Sequence, residues 1–383
     1  MKRLLGLLPI LALSAVCAFA QTTNSVPAPS NVPGAEFPRL DSDRRGTFQI
    51  KAPDAQHVQV NLPQGTFELA KDDGDEGTWT VITEPLEPGF HYYAFRVDGA
   101  MVFDPGSRAF YGASRHGSGI EVPEPGLDFY DLKDVPHGQL RTLRYHSPVT
   151  DSWRQLIVYT PPGYDANTYA RYPALYLQHG GGEDETSWAQ QGKTDLILDN
   201  LIAAGKARPM LVVIANGNLP RPPDAPPGYS RAGMAPFAAE LLTAIVPTID
   251  THFRTIADPQ HRALAGLSMG GGQAFIVGLA HPETFASIGS FSTGLFGGIR
   301  DTGPFNINDY VPGLLDDVTA TNANLDLFYL SCGQQDNRID HTQTVVDQLR
   351  AQGLDVAFNS FSGGHEWQVW RKSLHDFAPR LFR

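Results

Sequence analysis

The arrangement of apolar residues changes character once along this chain, near Asp128, and that change constrains the fold more than any single motif does. Before it, apolar residues fall in short alternating runs, Gly46 to Ile50, His57 to Leu62, Gly77 to Ile82, His91 to Val97 and Ala100 to Phe103, separated by Asp, Gly and Pro turns. A period of two puts one side of each run in a core and the other in water, so residues 38–125 are expected to form a small antiparallel, immunoglobulin-like β-sandwich. No helical period occurs in this stretch. After it, buried-type runs at Gln155 to Thr160, Ala174 to Gln178, Met210 to Ala215, Ala263 to Gly266, Ser287 to Phe291, Leu325 to Ser331 and Val356 to Phe361 are interleaved with helical segments. Those segments are Phe237 to Asp250, Gly271 to Ala280, Thr342 to Gln352 and Glu366 to Leu381. Strands apolar on both faces and joined by helices predict an α/β domain over residues 126–383, with a mostly parallel sheet covered on both sides. At 383 residues the chain is long enough for two cores.

Residues 1–20 place Lys2 and Arg3 before a short apolar run that ends in Ala18-Phe19-Ala20. This pattern reads as a signal peptide cleaved near Ala20-Gln21, with the mature protein exported to the periplasm or the medium. Val16 before Cys17 argues against a lipid anchor. Residues 21–37 are rich in Pro, Ser, Thr and Asn and are expected to be a flexible leader. No other stretch reads as long and apolar enough to cross a bilayer, so membrane insertion is not expected. Loss of Cys17 leaves Cys332 alone, which excludes an internal disulfide. The whole chain carries 29 basic and 41 acidic residues, and removing Lys2 and Arg3 makes its net charge of −12 more negative still. Such a surface repels polyanions, which argues against nucleic acid or an anionic membrane as partner and favours a neutral or aromatic substrate.

The chemistry centres on Gly266-Leu267-Ser268-Met269-Gly270, which follows an apolar run and precedes a helix-compatible segment rich in Gly and Ala. A sharp strand-to-helix turn leaves no room for side chains beside its central residue, which accounts for glycine at 266 and 270 and offers Ser268 as a nucleophile. Upstream, the run Tyr172 to Gln178 ends in His179-Gly180-Gly181-Gly182. Consecutive glycines after a buried strand let backbone N–H groups face a bound carbonyl, and Gly181 and Met269 are the expected oxyanion donors. His179 precedes the nucleophile and reads as a residue that orients this loop. In the chain order Ser, acid, His, the base should follow the last strand, where Gly363-Gly364-His365-Glu366-Trp367 supplies His365; His375 lies within the following helix. The acid should follow the preceding strand, which makes Asp336 the first candidate and Asp340 the fallback. Nothing resembles a metal-binding motif, and serine chemistry needs no cofactor.

Together HGGGEDETSW, GLSMGG, CGQQDN and GGHEWQVW resemble the carbohydrate esterase family 1 group of feruloyl and acetylxylan esterases, within the esterase D-like α/β-hydrolases. The resemblance covers roughly residues 130–383 and implies Ser268, Asp336 and His365 as a catalytic triad, with backbone donors at Gly181 and Met269. Gly77-Thr78-Trp79, Leu86 to Tyr93 and Val97-Asp98-Gly99 are similar to the early-set sandwich related to carbohydrate-binding module family 48. This implies a plant cell-wall polysaccharide or oligosaccharide ester as substrate. Trp188, Tyr229 and Trp367 are candidates to stack on a feruloyl ring or a sugar, whereas Trp370 reads as buried. The segments Leu219 to Gly228 and Gly294 to Gly303 are candidate walls or lids. In the sandwich, Trp79, Tyr92 and Tyr93 could form a sugar-binding face, but alternation places Tyr92 and Tyr93 on opposite sides of one strand. The expected activity is release of ferulate from arabinoxylan, with acetylxylan hydrolysis by the same residues as the alternative. Siderophore-ester hydrolysis and a non-catalytic glycan-binding role are more distant alternatives.

Overall fold

A computed structural model describes residues 24–74, 76–226, 228–299 and 303–383. The expected signal peptide, its cleavage point and Cys17 lie outside the described residues.

Two antiparallel sheets form the amino-terminal region. One runs, in spatial order, Val26–Pro27, Arg39–Leu40, Arg45–Lys51, Thr78–Pro85 and Ala70–Lys71. The other runs Phe110–Gly112, Arg115–Val122, Gly89–Val97, Val58–Leu62 and Gly65–Glu68, with Ala100–Val102 also paired to Gly89–Val97. Alternation sets the faces: Val58, Val60 and Leu62 are buried while Gln59 and Asn61 are only partly covered. Phe48 and Trp79 from one sheet meet Val60, Tyr93, Phe95 and Ile120 from the other in a single core.

The flexible leader expected over residues 21–37 is corrected wherever the chain is described. Val26–Pro27 pairs with Arg39–Leu40, Ala28 is buried, and the Ser30 Oγ accepts the N–H of Glu121 at 2.9 Å. Asn31 bridges to Ser107 and donates to the Pro38 carbonyl at 3.0 Å. Proline lacks a ladder donor but is tolerated on an edge strand, and one asparagine supplies the bonds that composition alone cannot reveal.

The second region is built on an eight-stranded sheet in the order Gln139–Ser147, Ser152–Thr160, Leu211–Ala215, Ala174–Gln178, Arg262–Leu267, Ser287–Phe291, Leu327–Gly333 and Ala357–Phe361. Ser152–Thr160 pairs antiparallel with both of its neighbours, and all the other pairings are parallel. Successive residues of one strand enter different cores. Leu264 packs with Phe237, Phe275 and Val345, whereas Ala263 and Ala265 pack with Ile197, Trp370 and Leu374. The helix Arg231–His252 is 22 residues long and apolar enough, by length and composition, to cross a membrane. This corrects the expectation that no segment after the first 20 residues would pass that test. In the fold, Phe237, Leu241, Ile245 and Ile249 line its buried side against the sheet.

The two regions share a core. Phe90 and Phe110 of the sandwich and Tyr130 of the connection pack in the same cluster as Trp188, Trp367 and Leu374. At its edge the wholly buried Arg371 makes a two-pronged pair with Glu121, at 2.6 and 2.9 Å, and its Nε donates to the Gln191 carbonyl at 2.7 Å. Burial alone would raise the Glu121 carboxyl, but Arg371 and Lys193 outweigh burial and hold it below its ordinary value.

Candidate active site

At the end of the strand Arg262–Leu267 the chain turns abruptly into the helix Met269–Gln273, and Ser268 sits in the turn at φ 50° and ψ −111°. A residue other than glycine seldom adopts such dihedrals, and the neighbours enforce them. A Cβ at Gly266 would lie 2.6 Å from the Gly270 carbonyl oxygen, and one at Gly270 would lie 2.6 Å from the carbonyl oxygens of Gln178 and His179. The Ser268 side chain is thereby pushed out at the carboxyl end of the sheet, beside a helix N-terminus that favours negative charge.

The structure brings Ser268, His365 and Asp336 together from three strand ends. His365 Nε2 is 3.0 Å from Ser268 Oγ, and His365 Nδ1 is 2.7 Å from Asp336 Oδ2. With Nδ1–H donated to the carboxylate, Nε2 is left to accept the serine proton. The Trp370 ring stands edge-on to the imidazole at 5.0 Å and limits its rotation. Asp336 is 2% exposed, and its other oxygen accepts the Arg338 N–H at 3.1 Å and Arg338 Nη1 at 2.8 Å. Burial would raise this carboxyl, yet His365 and Arg338 together hold it below the usual carboxylate range. Asp340 is exposed in the first turn of the helix Ile339–Ala351, and His375 packs on the Phe129 ring at 4.4 Å.

Across from the serine lies the loop His179–Glu183. His179 is buried, its Nε2 accepts the Gly217 N–H at 3.0 Å, and its carbonyl accepts the Gly270 N–H at 3.1 Å, so it ties this loop to the turn at Ser268. Burial pushes its imidazole below the ordinary value, which keeps it neutral. Among the described residues no acceptor is paired with the N–H of Gly181, and Met269 opens its helix, where the N–H has no partner within the helix. Gly181 faces open space.

Of the three aromatic residues expected to line a pocket, the structure keeps only Tyr229 beside Ser268. Its hydroxyl donates to the Ser268 carbonyl at 3.3 Å, and its ring lies over Gly272, where a Cβ would come within 2.2 Å. The expectation for Trp188 and Trp367 is corrected. Both are buried in the core shared with the sandwich, 5.3 Å apart at 90°, and the Trp188 indole donates to the Gln178 carbonyl at 2.9 Å. An indole beside a glycine loop can turn outward or inward, and here a strand-end carbonyl satisfies its N–H inside. Trp79 and Tyr93 are likewise buried in the sandwich, and Tyr92 is directed at Gln191 of the α/β domain, so these three form no exposed face. The segment beginning at Gly294 lies over the acid loop, with Gly298 against Asn337 and Ile299 half exposed.

Sequence reasoning missed Arg338, which steadies the acid, and Glu183, whose Oε2 accepts the Gly180 N–H at 2.9 Å. Arg338 lies just past CGQQDN and Glu183 within HGGGEDETSW, but an acid in a glycine-rich loop ordinarily reads as solvated.

The parallel sheet, the strained serine turn and the loops at its carboxyl edge define an α/β-hydrolase. The Esterase family profile matches residues 147–381, more than half of the chain, and the chain belongs to that family. An endo-1,4-beta-xylanase/feruloyl esterase of Xylanibacter ruminicola is 37% identical over 372 residues, covering 94% of this chain and 47% of that protein. The chain thus spans about half the length of that relative. A solved ferulic acid esterase is 28% identical, with a TM-score of 0.54 over 63% of this chain and 97% of its own. The enterobactin esterase FES from Shigella flexneri is 17% identical and shares the fold, with a TM-score of 0.61 over 88% of this chain and 92% of its own. That coverage extends beyond the α/β domain into the sandwich.

Proposed function

We propose that this protein is a serine esterase that releases ferulate from an arabinoxylan-type plant polysaccharide through an acyl-enzyme. The observation that carries the reading is the relay from Asp336 through His365 to Ser268, at 2.7 and 3.0 Å; the N–H groups of Gly181, on the facing loop, and of Met269 are its proposed oxyanion donors. His365 takes the Ser268 proton as Oγ attacks the ester carbonyl, and the resulting oxyanion is held by those N–H groups. As the tetrahedral species collapses, the imidazolium returns the proton to the departing sugar oxygen. Water, deprotonated by His365, then attacks the acyl-serine, and the imidazolium returns that proton to Ser268 Oγ as the acid leaves. Asp336 stabilises the imidazolium in both halves without being protonated.

The choice of a feruloyl ester is supported by the xylanase/feruloyl esterase of Xylanibacter ruminicola and the solved ferulic acid esterase, both of which this chain resembles. Tyr229 is the described aromatic best placed to meet an aromatic acyl group. Export, supported by the pattern of residues 1–20, would put the protein where such polymers occur. A serine-reactive phosphonate should abolish hydrolysis of methyl ferulate with one equivalent bound, and the mass increment should map to the peptide containing Ser268. Full activity after complete labelling, or labelling elsewhere, would overturn the assignment.

A further inference from the structure

We propose that Glu183 is the positioning residue of the oxyanion loop, and that the sandwich domain contributes to catalysis by closing the pocket that holds it. This rests on the reading of Gly181 N–H as an oxyanion donor.

The loop is clamped from inside. The Glu183 N–H donates to the Gly180 carbonyl at 3.3 Å, and its Oε2 accepts the Gly180 N–H at 2.9 Å, so one residue holds both polar groups of Gly180 immediately before Gly181. A Cβ at Gly180 would lie 3.2 Å from that oxygen and 3.5 Å from the Ser268 Cβ, which places the carboxyl next to the nucleophile turn although it takes no part in the relay. The side chain is buried, with Tyr92 of the sandwich and Trp367, two residues after His365, against it. Trp367 Nε1 lies near the carboxyl without a well-formed hydrogen bond. Tyr92 is itself fixed, accepting from Gln191 Nε2 at 2.6 Å and donating to the Tyr111 carbonyl at 3.3 Å.

The loop is also gripped from outside. Ala113 and Ser114, both at positive φ, form the tip of the sandwich hairpin between Phe110–Gly112 and Arg115–Val122. The Ser114 N–H donates to the Gly182 carbonyl at 2.8 Å, and a Cβ at Gly182 would come within 3.2 Å of Ala113 Cα. Glycines 180 to 182 give the loop no side chains of its own to hold it; beside the anchors at its ends, His179 Nδ1 at 2.8 Å from the Gly180 carbonyl and Asn218 Nδ2 donating to the Glu183 carbonyl at 2.7 Å, these two contacts hold its middle.

A carboxyl is a costly way to fill this space, since burial pushes Glu183 up to about 7. What it supplies that an apolar side chain cannot is an acceptor for Gly180 N–H, which fixes the orientation of the next peptide. An oxyanion donor acts only if it already points at the developing charge, and loss of one such donor costs about 10²- to 10³-fold in kcat. A donor left in place but loosened should cost less.

The test uses the full chain and compares wild type with Glu183→Gln, which keeps an acceptor, and Glu183→Met, which fills the space without one. Turnover of methyl ferulate is expressed per site titrated by a phosphonate, so incomplete folding does not enter the rate. Glu183→Met is expected to lower kcat by about 10- to 100-fold and to weaken a boronic acid transition-state mimic in parallel. Its KM, and its affinity for ferulate, should stay within about threefold, because ground-state binding does not use the oxyanion donors. Glu183→Gln should retain at least about a third of the wild-type kcat. Wild-type kcat in Glu183→Met overturns the proposal, as does a tenfold or larger loss in Glu183→Gln. If Glu183→Met yields no titratable sites, Glu183→Gln decides alone on the same threshold. An inactive Ser268→Ala beside a fully active Glu183→Met would sink this proposal alone, whereas an active Ser268→Ala would sink the reading beneath it.

Discussion

Along the sandwich strand Val58–Leu62 every second residue is buried, whereas all six residues of Arg262–Leu267 are. A strand covered on one face has a second face to use elsewhere, and the sandwich uses its own through Phe90, Tyr92 and Phe110 to dock on the α/β domain. A strand covered on both faces has no such freedom. Its side chains cannot shift without disturbing two cores, so its end is a fixed platform for a serine at strained dihedrals. The two regions divide the work accordingly: the doubly covered sheet holds Ser268, His365 and Asp336 at its edge, and a hairpin of the half-covered sheet contacts the loop opposite them through Ser114.

The largest effect should come from breaking the platform's chemistry while leaving both regions intact. Ser268→Ala should lower kcat for methyl ferulate by about 10⁴- to 10⁶-fold, with an unchanged thermal midpoint and circular dichroism spectrum. Breaking the docking instead should cost stability. Arg371→Met leaves the buried Glu121 with only Lys193, 3.5 Å away, as a cationic partner, and the denaturant midpoint should fall by the equivalent of about 3 kcal/mol. Because the two regions share a core, the loss should appear as one transition rather than an early sandwich step followed by a later one.

A smaller effect sharpens the comparison at the contact itself. The Glu183 carboxyl has an ordinary value of 4.5 and is pushed up to about 7 in the fold. The folded protein therefore binds this proton more tightly than the unfolded chain does. The stability it contributes is complete below about pH 4.5 and is lost as pH rises to about 7, amounting to about 3 kcal/mol. Glu183→Gln has no such proton, so its stability measured from pH 4.5 to 8 should lack that fall. Parallel pH profiles for the two proteins would remove the carboxyl's burial from the account.

The seven strands expected in the α/β region are all present, and in the five central ones, Ala174–Gln178, Leu211–Ala215, Arg262–Leu267, Ser287–Phe291 and Leu327–Gly333, burial on both faces favours the apolar runs that mark them. The eighth, Gln139–Ser147, was not legible: it is an edge strand with mostly exposed residues and no apolar alternation. Arg115–Val122 escaped for a related reason, since its glycines and His116 interrupt the pattern that pairing across the sheet restores. At the site, chain order and strand ends suffice to nominate Ser268, Asp336 and His365, since topology carries each to the same sheet edge. Trp188, Trp367 and Glu183 depend instead on which side of a loop faces the second domain. That is decided by contacts between regions distant in sequence, and no local period records it.

The acyl preference of the proposed serine esterase is tested most directly by the ratio of kcat/KM for methyl ferulate to that for an acetylated xylo-oligosaccharide, with Ser268→Ala as the blank. A ratio well above one, with both activities absent from the blank, is the predicted result. A ratio well below one would contradict the feruloyl assignment and make the same site that of an acetylxylan esterase.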